Sequence, residues 1–354
     1  MRAAVFHLGI LKWLAEQNLL GKVSHISTVS GASICMGLLY GANKNRWPRD
    51  HEFLQSVLPI IEKKITEKDI QWTSLACLLI QPYYWDKKVN LLANVMEHQW
   101  CIHGCMQDIP AYPRWTINTT SYESGKDFRI SSSRMGEHSS SFVMHPTFHL
   151  SHAMAASAGF PVLIGPYKLK TGKYTWVDAS GTITVRPRDE ILHLWDGGVY
   201  DNMGLDPLFK IDHDGELSKD INYLIVSNAS GTIQHKKRKF SFSVENLKRL
   251  LDINMNQVEA LKSRSVIDYF QKHHNGMYIR IGTKVEDILK SCPLNTEQRT
   301  AVRKASMSAE DVHKAADYKT SLERMSLEDF QRILTHGYEL AAATWAGYDP
   351  CADR

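Results

Sequence analysis

The stretch Thr28-Val29-Ser30-Gly31-Ala32 restricts this chain to folds in which a short strand turns sharply into a helix. Residues 23–29 are typical of a short buried strand, and residues 32–40 are typical of an apolar helix. Such a turn strains the serine backbone and exposes its hydroxyl, while small following residues let the chain pass closely beneath it. Ser30 is therefore a candidate catalytic nucleophile. The alternative is a simple helix N-cap, since Thr28 stands where the G-x-S-x-G pattern has its first glycine.

A second chemical signal is Asp196, which ends an apolar, strand-like segment and is followed by two glycines. The glycines let another backbone approach closely, and the strand end holds the carboxylate at the edge of a sheet. The alternative is an ordinary Asp-Gly hairpin turn. Two other acids compete with Asp196: Asp178 ends a strand but lacks the double glycine, and Asp201 is expected to be a turn or capping residue.

The alternation of strands and helices predicts an α/β protein with a three-layer α/β/α core. We expect a catalytic domain over residues 1–232, with a helical insertion at about 49–108, and a mostly helical C-terminal region over 233–354 packed on the same domain. The chain opens on an amphipathic helix at residues 3–20, whereas α/β sheets usually begin with a strand. The first strand is therefore expected to be missing from the sequence as it stands.

Composition excludes several classes of protein. A net charge of only +4 gives no global field for nucleic acid, and the longest central apolar run is too short to span a bilayer. Cys101 and Cys105 lie near His98, but a zinc site needs a second ligand pair, so no metal and no cofactor are expected. The cysteines are scattered as in a protein of a reducing compartment, which favours the cytoplasm; they are Cys35, Cys77, Cys101, Cys105, Cys292 and Cys351.

Several segments along the chain together resemble the bacterial patatin-like phospholipases. The resemblance is more specific than any one motif because its parts run almost the whole length of the sequence. The matching segments are residues 2–9, the Ser30 turn, residues 117–120 with 124–125, residues 155–161, the Asp196-Gly197-Gly198 turn and residues 336–341.

The resemblance implies a lipid acyl hydrolase with a serine–aspartate dyad, and it places these roles on Ser30 and Asp196. A histidine triad is the competing mechanism, but no histidine lies in a motif that assigns it the role. The family also carries a G-G-G-x-R loop whose N–H groups face the oxyanion; only Met1-Arg2 matches its end. Arg2 is thus expected to order that loop or to meet a lipid phosphate, with a solvated terminal charge as the alternative, and Gly31 is expected to supply a second oxyanion donor.

The substrate implied by the resemblance is a lipid ester, reached through transient contact with a membrane surface. The basic run 235–240 fits an anionic bilayer or, alternatively, a solvated loop. The aromatic residues Trp72, Tyr83, Tyr84 and Trp85 fit an acyl-chain lip or, alternatively, a folded core. A cytoplasmic protein, peripheral at the membrane, is expected. The competing function is a catalytically inactive lipid- or protein-binding module, because the glycine loop is absent.

Overall fold

The computed structural model describes residues 1–137, 141–161, 164–211, 215–231, 235, 244–290 and 306–348. Helices and strands alternate through the first two thirds of the chain, and helices dominate the rest. The helices are α1 (Arg2–Glu16), α2 (Gly31–Ala42), α3 (Asp50–Glu52), α4 (Leu58–Glu67), α5 (Ile70–Ile80), α6 (Lys88–Trp100), α7 (Leu150–Ser157), α8 (Gly198–Asp201), α9 (Val244–His273), α10 (Val285–Lys290), α11 (Ala309–Asp317) and α12 (Leu327–Tyr348).

Nine strands form one curled sheet that is antiparallel except where β1 runs parallel to β2. The order across it is β6-β9-β2-β3-β4-β5-β7-β8, with β1 also pairing with β2. These strands are β1 (His25–Thr28), β2 (Arg114–Ser121), β3 (Asp127–Ser131), β4 (Arg134–Glu137), β5 (Ser141–Met144), β6 (Tyr167–Lys170), β7 (Trp176–Asp178), β8 (Thr184–Val185) and β9 (Ile191–Asp196). Two separate pairs are β10 (Phe209–Lys210) with β11 (Glu216–Leu217) and β12 (Leu224–Asn228) with β13 (Gly276–Arg280).

Helices cover the sheet, so the predicted α/β/α architecture is confirmed. Helix α7 packs on β2 and β9 and is in turn covered by α2 and α6. The predicted helical insertion contains α3 to α6, which a short 3-10 turn at Pro82–Tyr84 interrupts. The described residues of the predicted helical C-terminal region form α9 to α12 and the strand β13. The expected domain boundary at residues 232–233 lies outside the described residues and stays a prediction.

The first and last described helices, α1 and α12, cross in close contact. A Cβ atom added at Gly9 of α1 would lie 2.0 Å from the Leu334 carbonyl oxygen, and one at Gly337 of α12 would lie 2.1 Å from the Phe6 carbonyl oxygen. Only glycine lets the two backbones approach this far. The crossing buries Phe6 and Leu334 in the hydrophobic core.

A buried polar contact fixes α12 to the turn that follows β13. His336 is fully buried, and its Nε2 atom accepts the N–H of Gly282 at 2.9 Å. Because Nε2 accepts, the ring proton of a neutral imidazole must lie on Nδ1, which is 2.8 Å from Oε1 of Glu339. Glu339 also accepts the N–H of Met307 at 2.7 Å. His336 and Glu339 thus hold the loops at Gly282 and Met307 against α12.

Candidate active site

Ser30 lies on the sharp turn between β1 and α2. Its backbone has φ 51° and ψ −118°, a region that non-glycine residues rarely adopt. The residue occupies the N-cap position of α2, but its side chain makes no capping hydrogen bond. This is the geometry of a nucleophile elbow and not of a simple N-cap, and strain of this kind is concentrated at functional sites.

Buried hydroxyl groups hold the strained turn. The backbone N–H of Ser30 donates to Oγ of Ser157 at 3.0 Å, and that hydroxyl donates to the Asn118 carbonyl at 2.8 Å. Thr28 is 3% exposed, and its Oγ1 accepts the indole N–H of Trp115 at 2.9 Å. Thr28 therefore serves as a buried hydrogen-bond partner at the position where the pattern has glycine. Sequence reasoning missed Ser157, and only its place in the small-residue segment 155–161 pointed to it.

The sheet register brings the ends of β1 and β9 together beside β2. Thr28 at the end of β1 pairs with Ile117, and Asp196 at the end of β9 pairs with Thr119. Asn118 lies between these two pairs, and its side-chain amide donates to the Thr28 carbonyl at 3.0 Å. β1 runs parallel to β2, and β9 runs antiparallel to β2. The two strands therefore approach from opposite directions, and the carboxyl ends of β1 and β9 meet. The structure thus brings the two predicted residues, Ser30 and Asp196, to one point.

Both glycines after Asp196 lie in crowded places. A Cβ atom at Gly197 would lie 2.4 Å from the Asn118 carbonyl oxygen, and one at Gly198 would lie 2.6 Å from Oδ1 of Asn202. The turn can therefore lie this close to β2 only if glycine occupies these positions. The two glycines in the sequence predict this close approach.

The Asp196 carboxyl is buried, with 5% of the residue exposed. Its Oδ1 accepts the N–H of Gly198 at 2.8 Å. Burial raises the pKa of Asp196 from 3.8 to about 6, while hydrogen bonds from the Gly198 N–H and the Ser30 side chain act in the opposite direction. A carboxylate of this kind is a stronger base than an ordinary aspartate, and it is in contact with a serine hydroxyl.

The first turns of two helices lie beside Ser30. Gly31 is the first residue of α2, so its N–H has no acceptor within the helix. A Cβ atom at Gly31 would lie 2.7 Å from Cβ of Ala3, in the first turn of α1. The first turns of α1 and α2 are therefore adjacent, and the partial positive charges of both helix N-termini lie close to Ser30.

Arg2 lines the same cavity as Ser30, but its guanidinium is engaged elsewhere. Nη1 donates to the carbonyls of Ala316 and Tyr318 at 2.8 and 3.1 Å, and Nη2 donates to that of Ala229 at 3.2 Å. Burial lowers the pKa of Arg2, and Asp317 acts against that shift. In the described structure Arg2 ties the start of α1 to the loops after β12 and α11.

The other candidate acids and bases have partners of their own. Asp201 is buried and accepts the N–H of Leu205 at 2.7 Å, as predicted for a turn residue. Asp178 accepts the hydroxyl of Ser180 at the end of β7. Among the described histidines with side-chain partners, none contacts Ser30; the pairs are His7–Ser227, His25–Ser24, His103–Glu97, His149–Glu97, His152–Tyr167, His193–Glu123, His313–Asp317 and His336–Glu339.

A cavity of about 1840 Å³ opens at Ser30 and Asp196. Apolar side chains of α1, α2, α5 and α6 line one part of it, and polar side chains of α9 line another. The apolar lining includes Ile10, Leu39, Leu78 and Leu91. This volume exceeds that of an ordinary small-molecule pocket.

The part of the chain that the structure describes has neither a metal-binding cluster nor a bilayer-spanning helix. No group of three or more His, Cys, Asp or Glu side chains there could hold a metal ion. None of its helices combines the length and apolar character needed to cross a membrane.

An α/β/α fold that carries a serine on a strained strand-to-helix turn is the arrangement of enzymes with a nucleophile elbow. The family model for patatin-like phospholipase matches residues 1–209, which is more than half of the chain. The chain belongs to this family, whose members are generally hydrolases of lipid esters. No curated protein matches the sequence.

Proposed function

We propose that this protein is a lipid acyl hydrolase of the phospholipase or lysophospholipase type, with Ser30 as nucleophile and Asp196 as general base. The observation that carries the proposal is the meeting of the strained Ser30 turn with the buried Asp196 carboxyl, next to a largely apolar cavity. The raised pKa of Asp196 supports its role as base, because an aspartate with an ordinary pKa is a poor acceptor for a hydroxyl proton.

The reaction proceeds through an acyl-enzyme. Oγ of Ser30 attacks the ester carbonyl carbon while Asp196 accepts the hydroxyl proton. The tetrahedral intermediate collapses, the carbon–oxygen bond to the leaving alcohol breaks, and the protonated Asp196 returns the proton to that alcohol. Water then adds to the acyl-enzyme with Asp196 as base again, which releases the fatty acid and restores Ser30.

The negative oxygen of the tetrahedral intermediate is assigned to the first turns of α1 and α2. The N–H of Gly31 is one donor, and the partial charge of the first turn of α1 adds to it. Arg2 supports this arrangement indirectly, since its three hydrogen bonds hold the start of α1 in place. An active site of this kind works on a substrate embedded in a lipid–water interface, so contact with a membrane surface belongs to the proposal.

The test is hydrolysis of a short-chain ester and of phospholipid vesicles by the full chain and four variants. Ser30→Ala and Asp196→Asn should abolish turnover, while the matched controls Ser133→Ala and Asp178→Asn should retain it. A fluorophosphonate probe should label the parent and fail to label Ser30→Ala. Undiminished turnover in either dyad variant would contradict the mechanism, and an unlabelled parent would favour the non-catalytic binding module.

A further inference from the structure

Helix α5 turns its apolar side chains toward solvent. Trp72, Leu75, Leu79 and Ile80 are 60%, 45%, 75% and 75% exposed. The first three follow the i, i+3, i+7 spacing of one helix face, which in a globular protein normally packs on the core. Tyr83 and Trp85 extend the surface past the end of the helix and are 64% and 61% exposed. We call these six residues the α5 face, and an exposed apolar patch of this kind marks an interaction site.

The α5 face lies directly outside the cavity that holds Ser30. The other side of the helix contributes Ser74 and Leu78 to the cavity lining, and Leu75 belongs to both surfaces. The helix is held in this position from within the fold. Ile70 is fully buried, and the N–H of Gln71 donates to the Leu322 carbonyl at 3.2 Å.

Lysines surround the aromatic end of the α5 face. Nζ of Lys87 lies 3.8 Å from the ring centre of Tyr83, and Lys87 and Lys170 both lower the pKa of that phenol. Lys168 pairs with Asp86 at 2.8 Å. Together with the exposed Lys88, four lysines lie at this end of the α5 face, next to Asp86, and give it positive charge.

We propose that the α5 face docks this protein on the surface of a bilayer that contains anionic lipid. Exposed leucine and isoleucine side chains can enter the acyl region, and tryptophan and tyrosine favour the level of the headgroups. Lysines close to an anionic bilayer surface add electrostatic attraction to this apolar contact. The choice of a bilayer over a protein partner rests on the proposed function, because docking here places the cavity at the source of a lipid substrate.

The test measures vesicle binding in the full chain with Ser30→Ala, so that hydrolysis does not consume the lipid. Flotation is compared on phosphatidylcholine vesicles and on vesicles that also contain phosphatidylglycerol. The apolar variant adds Trp72→Gln, Leu79→Gln and Ile80→Gln. Its matched control adds Ile183→Gln and Leu327→Gln, at positions that are 63% and 56% exposed.

The parent is expected to bind anionic vesicles. The apolar variant should bind about tenfold more weakly or worse, since three exposed side chains no longer enter the bilayer, whereas its control should bind like the parent. A second variant, Lys87→Glu with Lys170→Glu, should lose affinity only for the anionic vesicles, and Lys210→Glu is its control. Because all these positions are on the surface, thermal melting should be unchanged.

Three results would overturn the proposal: no vesicle binding by the parent, equal binding by the parent and the apolar variant, or a dimer of the parent that becomes a monomer in the apolar variant without vesicle binding. The last result would assign the α5 face to a second copy of the chain. If the Ser30-intact protein hydrolyses no ester while its Ser30→Ala variant binds vesicles through this face, the proposed function fails and the docking surface stands.

Discussion

Replacing Asp196 with asparagine should abolish turnover and also make the folded protein more stable at neutral pH. Burial raises the pKa of this carboxyl from 3.8 to about 6. Between these two values the native state binds more protons than the unfolded state, so stability falls as the pH rises through this interval. Above it, ionised Asp196 destabilises the fold by about 3 kcal/mol, at roughly 1.4 kcal/mol for each pKa unit. Asparagine removes the charge and keeps an oxygen that can accept the Gly198 N–H.

Thermal melts of the parent and Asp196→Asn across the pH range test this reasoning. For a chain of 354 residues, a gain of about 3 kcal/mol corresponds to a rise in Tm of about 4 °C at neutral pH. The difference in Tm should shrink as the pH falls from about 6 and disappear below about pH 3, where Asp196 is protonated in both the native and the unfolded state.

Asp178→Asn is a control for which the opposite change in stability is expected. Hydrogen bonds from the Ser180 hydroxyl and nearby N–H groups lower the pKa of this exposed carboxyl, so its stabilising effect is present at neutral pH and lost as the pH falls. Asp178→Asn should therefore lower the Tm at neutral pH. A variant of Asp196 that melts below the parent at neutral pH, or a difference that does not change with pH, would refute the argument.

Three further predictions concern the site and its support. The kcat/KM for a short-chain ester should rise about tenfold per pH unit below about pH 6 and level off above it, as Asp196 ionises; a profile flat down to about pH 4 would exclude it as the base. Ser157→Ala removes the acceptor of the Ser30 N–H and should lower kcat between about tenfold and a hundredfold with KM little changed, which steady-state kinetics would show. Gly337→Ala should lower the Tm sharply because its Cβ strikes a carbonyl of α1, whereas Gly172→Ala, with open space around it, should melt like the parent in the same scan.

The features that can be predicted from the sequence depend on residues close together in it. The Ser30 turn was predictable because a strand, a serine and small residues lie within a few positions of one another. Asp196 was predictable because two glycines mark a close approach, which the structure finds at the Asn118 carbonyl. The helical insertion follows from apolar periodicity, since α4 and α6 bury one side of each helix.

What the sequence does not predict depends on register and on distant contacts. Short strands such as β4 and β8 carry little alternation, so the sequence does not predict them. Ser157 supports Ser30 only because α7 packs on β2. Its place in the small-residue segment 155–161 does not by itself assign it that role. The guanidinium of Arg2 binds carbonyls more than 200 positions away in the sequence, including Ala229 and Ala316. The meeting of β1 and β9 likewise follows from strand order, which no short motif encodes.

The close crossing of α1 and α12 at Gly9 and Gly337 affects how this protein folds during synthesis. A ribosome releases α1 well before α12, so the apolar face of α1 lacks this partner while the chain between the two helices emerges. The first turn of α1 is also adjacent to Gly31, so the helix that packs on α12 contributes to the surroundings of Ser30. Contacts of such long range slow folding. A nascent chain arrested before Leu327 should therefore remain sensitive to proteases and dependent on chaperones.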